Sequence, residues 1–246
     1  MLGVKMSEQP TRSNRRIDQV LRIKKLTSHN IIKRAAMHNL REIKAEYRSG
    51  DRIDSTRTQL NQILTGSQTS SRVVEDYDKL LDAANLPTKI RRDAVRGIEV
   101  VISLPSDHEI DELTFFDDCT EWCRSYFGVP VLSVVIHRDE PNPHSHTILV
   151  PLVGGRLQGS KLAGNRTKWR AMQESFYESV GVRYGFTRPR PMVRYSYEFR
   201  RTIAAQIVDS LAANSEYLNN EQVQGELIQV VSNDPLDLAR MVGIGV

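Results

Sequence analysis

The sequence predicts a mixed α/β (α+β) fold, a mainly antiparallel sheet flanked by helices with a small helical appendage behind it. Three observations carry that prediction. Two apolar stretches rich in β-branched residues, 129–136 and 147–153, flank a polar turn holding Pro141 and Pro143, the pattern of a hairpin of buried strands. Strand-like and helix-like periodicities alternate along residues 20–186 with short connections, and there are no internal repeats or low-complexity blocks. Beyond residue 187 the strand patterns stop and only helical periodicity remains.

Composition sets the outer limits. A chain of 246 residues can bury a proper core, and its 39% hydrophobic and 26% charged content suits a soluble globular protein. No apolar run is long enough to span a bilayer, so no integral membrane segment is expected. The polar, basic start has no signal-peptide core, which makes the cytoplasm the expected compartment. Net charge is only +4, but Arg and Lys concentrate in residues 12–52 and 183–201, a distribution that suits phosphate-bearing partners. The only cysteines, Cys119 and Cys123, fall four apart on an expected helix and read as reduced, packed side chains rather than a disulfide.

In chain order, residues 1–19 read as a flexible basic arm. Residues 20–26 alternate apolar and basic side chains, a strand with one wet, positive face. Ser28 or Asn30 caps a helix holding Ile31, Ile32, Ala35, Ala36 and Leu40. A loop marked by Gly50, Asp51, Asp54 and Ser55 leads to an expected short strand over 58–64, and 73–84 reads as an amphipathic helix. Residues 94–104 form a strong strand. The helix expected over 109–127 places Leu113, Phe116, Cys119, Trp122, Cys123 and Tyr126 at core spacing. After the hairpin, Gly154 and Gly155 begin a turn, and 165–184 reads as a helix with Trp169, Met172, Phe176 and Val180 inward. Residues 187–246 read as a linker and helices over 195–211, 221–231 and 234–241.

The chemistry concentrates in the turn of the hairpin. Three of the six histidines, His137, His144 and His146, fall there with Asp139 and Glu140. His144 and His146 are two apart on one strand, so their imidazoles point the same way, and His137 faces them across the hairpin. Three imidazoles with open positions suit Mn, Zn, Co or Ni better than Mg or Ca, which prefer oxygen. Asp139 and Glu140 read as ligands, proton acceptors or groups that orient an imidazole.

The run His137-x-Asp139-Glu140-x-x-Pro143-His144-x-His146 resembles the metal signature of the Mob/Pre (MobV-type) plasmid mobilisation relaxases, within the wider HUH endonucleases. Three further segments resemble that family's motifs in order and spacing: Arg22, Lys24 and Lys25 followed by His38-Asn39-x-Arg41, then residues 54–61, then 90–95. The likeness covers about residues 20–185, which makes 20–186 the catalytic domain and 187–246 a helical extension. Two departures stand out. Ser145 occupies a place where the superfamily usually has a hydrophobe, and the family's long helical C-terminal region is mostly absent.

The resemblance implies a strand transferase that nicks one DNA strand at an origin of transfer by transesterification, leaving a covalent 5′-phosphate adduct. His38 matches the family's nucleophile, with Tyr47 as the rival, and Glu140 is the carboxylate expected to hold the other nitrogen of His38. His137, His144 and His146 would hold a divalent metal, Mn2+ first, with Zn2+, Co2+, Ni2+ or Mg2+ as alternatives. Arg22, Lys24, Arg41, Arg57, Asn61 and Arg92 are expected to contact DNA, both an origin hairpin and a single strand. A second copy of the chain and transfer-apparatus proteins are further partners that the resemblance allows. A nickase for rolling-circle replication or transposition, or a non-catalytic DNA-binding relative, remain the alternative readings.

Overall fold

A computed structural model describes residues 17–28, 30–43, 53–86, 90–189, 195–232 and 236–243. The chain divides into two units, Met1–Pro191 and Met192–Val246. The expected arm before residue 17, Tyr47 and the 50–51 turn lie outside the described residues.

The first unit opens with β1 (Ile17–Asp18) and β2 (Val20–Leu26), then α1 (Ile31–Asn39). A 3-10 turn (Ser55–Leu60) precedes β3 (Gln62–Thr65), α2 (Ser70–Ala83) and β4 (Gly97–Ser103). Next come α3 (Glu112–Phe127), β5 (Val131–His137) and β6 (His144–Leu149). A two-stranded ribbon of β7 (Leu152–Val153) and β8 (Arg156–Leu157) turns at Gly154 and Gly155, whose φ angles of 56° and 67° favour glycine. Then α4 (Gly159–Ala163) and α5 (Arg166–Ser179) lead to β9 (Phe186–Thr187).

The main sheet has five strands in the order β2-β4-β6-β5-β3, and every neighbouring pair is antiparallel. One face is sealed along its length. Leu21, Ile98, Val100, Ile102, Ile136 and Leu149 pack there with Phe115, Phe116, Cys119, Trp122 and Cys123 of α3 and Met172 and Phe176 of α5. The opposite face is covered only in part. Ile32 and Ala36 of α1 and Val73 and Tyr77 of α2 close over Leu26, Leu132, Ile148 and Val150. Beyond that cover the same face carries polar side chains, and the site lies there. Paired residues on adjacent antiparallel strands share a face, so the register of Arg22 with Val101, and of Val101 with His146, sets them in one row.

Several elements depart from the sequence reading. Residues 58–64 are not one strand: a 3-10 turn runs to Leu60, because Asp54 accepts from the Thr56 amide and starts a tight turn instead. Leu113 is 42% exposed and Phe115 takes its place in the core. Asn30 holds the N-cap position of α1 without a side-chain cap bond. The helix expected over 165–184 is capped by Asn165 but stops at Ser179, and a 3-10 turn (Gly181–Tyr184) follows it. The parallel pairing of Ile17 and Asp18 with Phe186 and Thr187 is too short to leave a sequence signal.

The second unit holds α6 (Tyr197–Ala213), a 3-10 turn (Ser215–Asn219), α7 (Glu221–Val231) and α8 (Leu236–Met241). Many of its large apolar side chains are solvent-exposed, Phe199 at 47% and Val208 at 64% among them, while Leu211, Val223, Leu227 and Val231 are half-buried. No helix among the described residues is long and apolar enough to cross a membrane.

Candidate functional site

The sheet register assembles the three histidines. His137 pairs with His144 across the hairpin, and His146 lies two residues along β6. Their ring centroids are 4.7 Å (His137–His146), 5.0 Å (His144–His146) and 5.1 Å (His137–His144) apart. All three are buried, and one nitrogen from each lies within 4.8 Å of the others.

The second nitrogen of each ring is already committed. His137 Nε2 donates to Asn39 O at 2.7 Å, His144 Nδ1 to Asn142 O at 2.8 Å, and His146 Nδ1 to Glu99 Oε1 at 2.9 Å. Those bonds fix the tautomers, so His137 turns Nδ1 and the other two turn Nε2 toward the common centre. His137 Nδ1 is buried without a hydrogen-bond partner. A buried polar atom in that condition costs free energy unless something else satisfies it. Burial first, and then the neighbouring His146 and Arg41, hold His137 far below the usual imidazole range, so it is a neutral, lone-pair donor. The donor set therefore fits a divalent metal, with three nitrogens held and open positions beside them.

Glu99 is a site residue that the sequence reading missed. Burial is the largest influence and opposes its ionisation, but His146, Lys24 and Asn39 together outweigh it and hold its carboxyl below the usual range. Lys24 Nζ lies 3.9 Å from its other oxygen, and Asn39 Nδ2 is 3.4 Å away. The signal was present: a single acid inside the apolar run Ile98-Glu99-Val100-Val101-Ile102 needs a partner.

His38 stands over this centre from the last turn of α1. Its ring centroid is 5.5 Å from that of His146 and 6.1 Å from that of His137, with near-perpendicular planes. The helix ends beside it in a double-bonded cap, Arg41 N to His38 O at 3.1 Å and Glu42 N to Met37 O at 2.8 Å. The residue at the left-handed position of such a cap is usually glycine. Here it is Arg41, at φ 57°, a conformation that costs a side-chain-bearing residue about 1–2 kcal/mol.

Arg41 does not lie open for DNA, as the sequence reading expected. It is buried, with Nε and Nη2 on Asp139 at 2.9 and 2.7 Å and Nη2 on Glu140 at 2.7 Å. Asn61 also turns inward, giving Nδ2 to Asp139 at 2.8 Å and accepting from Arg138 N at 2.7 Å. Thr58 adds a bond to Asp139 at 3.1 Å. Burial opposes the charge on Asp139, but the bonds from Arg41 and Asn61 prevail and keep it ionised. Three of the bonds from Arg41, Asn61 and Thr58 end on Oδ2 and one on Oδ1, and Asp139 with His137 and Glu140 forms a second group whose candidate ligand atoms lie within 4.8 Å of one another. Glu140 Oε1 lies 3.9 Å from His144 Nε2 and faces the open side.

A cleft of about 1120 Å³ runs over the centre, bounded by Arg22 and Lys24 of β2, His38 of α1, Glu140, His144 and His146. Arg34, one turn before His38 on α1, joins them and was not singled out from sequence. Arg57 and Arg92 are exposed but do not line this cleft.

A histidine triad on the central hairpin of an antiparallel sheet, with a further histidine poised above it, defines a metal-centred relaxase-type domain. The family of plasmid recombination enzymes, Mob_Pre, matches residues 16–191, and the chain belongs to that family, the MobV-type relaxases. It is 31% identical over 171 residues to a plasmid recombination enzyme type 1 of Staphylococcus aureus, covering 66% of this chain and 41% of the relative. It is 28% identical over 170 residues to a plasmid recombination enzyme of a Bacillus species, covering 65% and 39%. The chain thus spans about two fifths of the length of these relatives. Among solved structures, the MobM relaxase domain bound to plasmid pMV158 oriT DNA, in a Mn-bound form at pH 6.8, superposes with a TM-score of 0.63 at 24% identity, over 75% of this chain and 98% of that one. A second Mn-bound form of that domain, at pH 5.5, gives 0.61 at 25% identity, over 75% and 99%.

Proposed function

We propose that this protein is a metal-dependent DNA strand transferase that nicks one strand at an origin of transfer and so begins plasmid mobilisation. The observation that carries the proposal is the placement of His38 over a preformed three-nitrogen centre at the floor of a basic-edged cleft. Family membership and the Mn-bound, oriT-bound structural neighbours support the same reading.

In this reading a single strand lies along β2, with Arg22, Lys24 and Arg34 meeting its phosphates. His137, His144 and His146 would hold a divalent ion, Mn2+ first, which supplies Lewis-acid polarisation of the scissile phosphate when bound. The His38 imidazole attacks phosphorus through one nitrogen. A P–N bond forms, the P–O3′ bond breaks, and the 3′-oxygen leaves to be protonated as a free hydroxyl. Glu140, which lines the same cleft, would take the proton that the second imidazole nitrogen gives up. Because the bond energy is kept in the adduct, the free 3′-hydroxyl can reverse the reaction and rejoin the strand.

Supercoiled plasmid carrying the gene's own upstream region is the direct substrate for a test. With Mn2+ the protein should yield open circles whose 5′-end stays blocked until the protein is digested, and EDTA should abolish the product. Tight binding with no nick in Mn2+, Mg2+, Zn2+, Co2+ or Ni2+ would instead mark a DNA-binding relative.

A further inference from the structure

The least economical feature of the site is the ion pair of Arg41 and Asp139. A left-handed cap position that glycine would fill without strain is given to an arginine, and both charges are buried. A buried ion pair is seldom more stable than apolar side chains of the same size, so stability alone does not explain it. What the pair does is geometric. Arg41 lies three residues past His38, and Asp139 lies two residues past His137 and one before Glu140.

We propose that Arg41 and Asp139 are a positioning pair that fixes His38 over the metal-binding hairpin, and that neither is a DNA contact or a metal ligand. The inference rests on His38 being the attacking group. The fork of Arg41 on Asp139, at 2.9 and 2.7 Å, has one permitted orientation, unlike a single contact from a lysine. Asp139 is itself held by Thr58 and Asn61, which both donate to Oδ2, and its carbonyl accepts from Asp54 N at 2.7 Å. A second tie, His137 Nε2 to Asn39 O at 2.7 Å, joins the residue after His38 directly to a metal-facing ring. The end of α1 is therefore held to the hairpin at two points, Asn39 and Arg41, one and three residues past His38. Misplacement of an attacking atom by about 1 Å can cost on the order of 100-fold in rate, so such a tie bears on the chemistry more than on the fold.

The test is the double variant Arg41→Gly with Asp139→Asn. It removes both buried charges together, and glycine suits the left-handed cap, so folding is spared. Four quantities are compared with the unaltered protein: melting temperature, Mn2+ affinity, affinity for the origin strand, and single-turnover strand transfer at saturating DNA. A fifth reports His38 without any turnover, namely Mn2+-induced relaxation of the ring signals of ¹³C-labelled histidines, with His38 assigned through His38→Gln. The expected result is a transfer rate down about 100-fold, both affinities within about threefold, and a changed relaxation of His38 while the triad is unaltered. Arg41→Lys, which keeps the charge and loses the fork, should give an intermediate loss in the rate at saturation and none in DNA affinity.

Transfer within threefold of the parent, with His38 relaxation unchanged, would overturn the proposal. So would a tenfold loss of Mn2+ affinity, which would put Asp139 in the ligand set, or a loss of DNA affinity as large as the loss of rate, which would return Arg41 to the DNA surface. If the double variant does not fold, Arg41→Lys decides by the same criteria. Should the parent protein transfer no strand at all, the strand-transfer reading fails, and the relaxation measurement still decides whether the pair holds His38.

Discussion

Replacing Glu99 should weaken metal binding without dismantling the domain. Glu99 accepts the Nδ1 proton of His146 at 2.9 Å, whereas the second nitrogens of His137 and His144 rest on backbone carbonyls. Removing a group that orients one ligand and raises its basicity costs about 10- to 100-fold in metal affinity. At 1.36 kcal/mol per decade that is about 1.4–2.7 kcal/mol. Glu99→Gln keeps an acceptor for His146 and loses the charge, so it should fall near the lower figure. Glu99→Ala, which also releases Asn39 Nδ2 and the Lys24 contact, should fall near the upper one. The assay is titration of metal-stripped protein with Mn2+, followed by calorimetry or by the electron paramagnetic resonance of free Mn2+, with circular dichroism as the control for folding. An Ala variant that folds and binds Mn2+ within about twofold of the parent would refute the assignment of His146 Nε2 as a ligand held by Glu99.

Other consequences follow from the packing. Ser145 faces the sealed side of the sheet with its hydroxyl buried and unpartnered, so Ser145→Ala should stabilise the metal-free protein by about 1 kcal/mol and raise Tm by about 2–4 °C in a thermal melt. Gly66 sits at φ 97°, and a Cβ there would lie 2.6 Å from Leu132 O, so Gly66→Ala should cost at least about 2 kcal/mol by denaturant titration. Burial pushes the Cys119 thiol well up and the Cys123 thiol up to about 12. Near pH 8 only about one Cys123 in ten thousand is thiolate, so a disulfide reagent should react slowly with native protein and rapidly in guanidinium.

The elements legible in the sequence were those whose signal is local. The alternation of Val20–Leu26 gave β2 with its boundaries, and the apolar runs around Pro141 and Pro143 gave β5 and β6. The spacing of His144 and His146 was enough to aim two rings at one point, because a strand's two-residue period is fixed. What escaped depends on partners far along the chain. The strand expected over 58–64 yields to a 3-10 turn that Asp54 starts locally, and Thr58 in the turn and Asn61 after it are then held by Asp139, 81 and 78 residues on. Arg41 read as an open cation because most arginines are, and only its encounter with Asp139, 98 residues away, turns it inward. Glu99 could have been suspected as an acid in an apolar strand, but its partner is set by the pairing of β4 with β6.

The central claim is that His38 becomes joined to DNA, and the most direct measurement identifies the residue that carries the 5′-nucleotide. The protein would be incubated with its origin DNA and Mn2+ and digested with protease and nuclease. Its peptides would then be sequenced by mass spectrometry at neutral to alkaline pH, since a phosphorus–nitrogen bond is labile in acid. The account predicts a nucleotide on the peptide bearing His38, absent with EDTA and absent in His38→Ala. The same nucleotide found on Tyr47, with His38→Ala still forming the adduct, would contradict it.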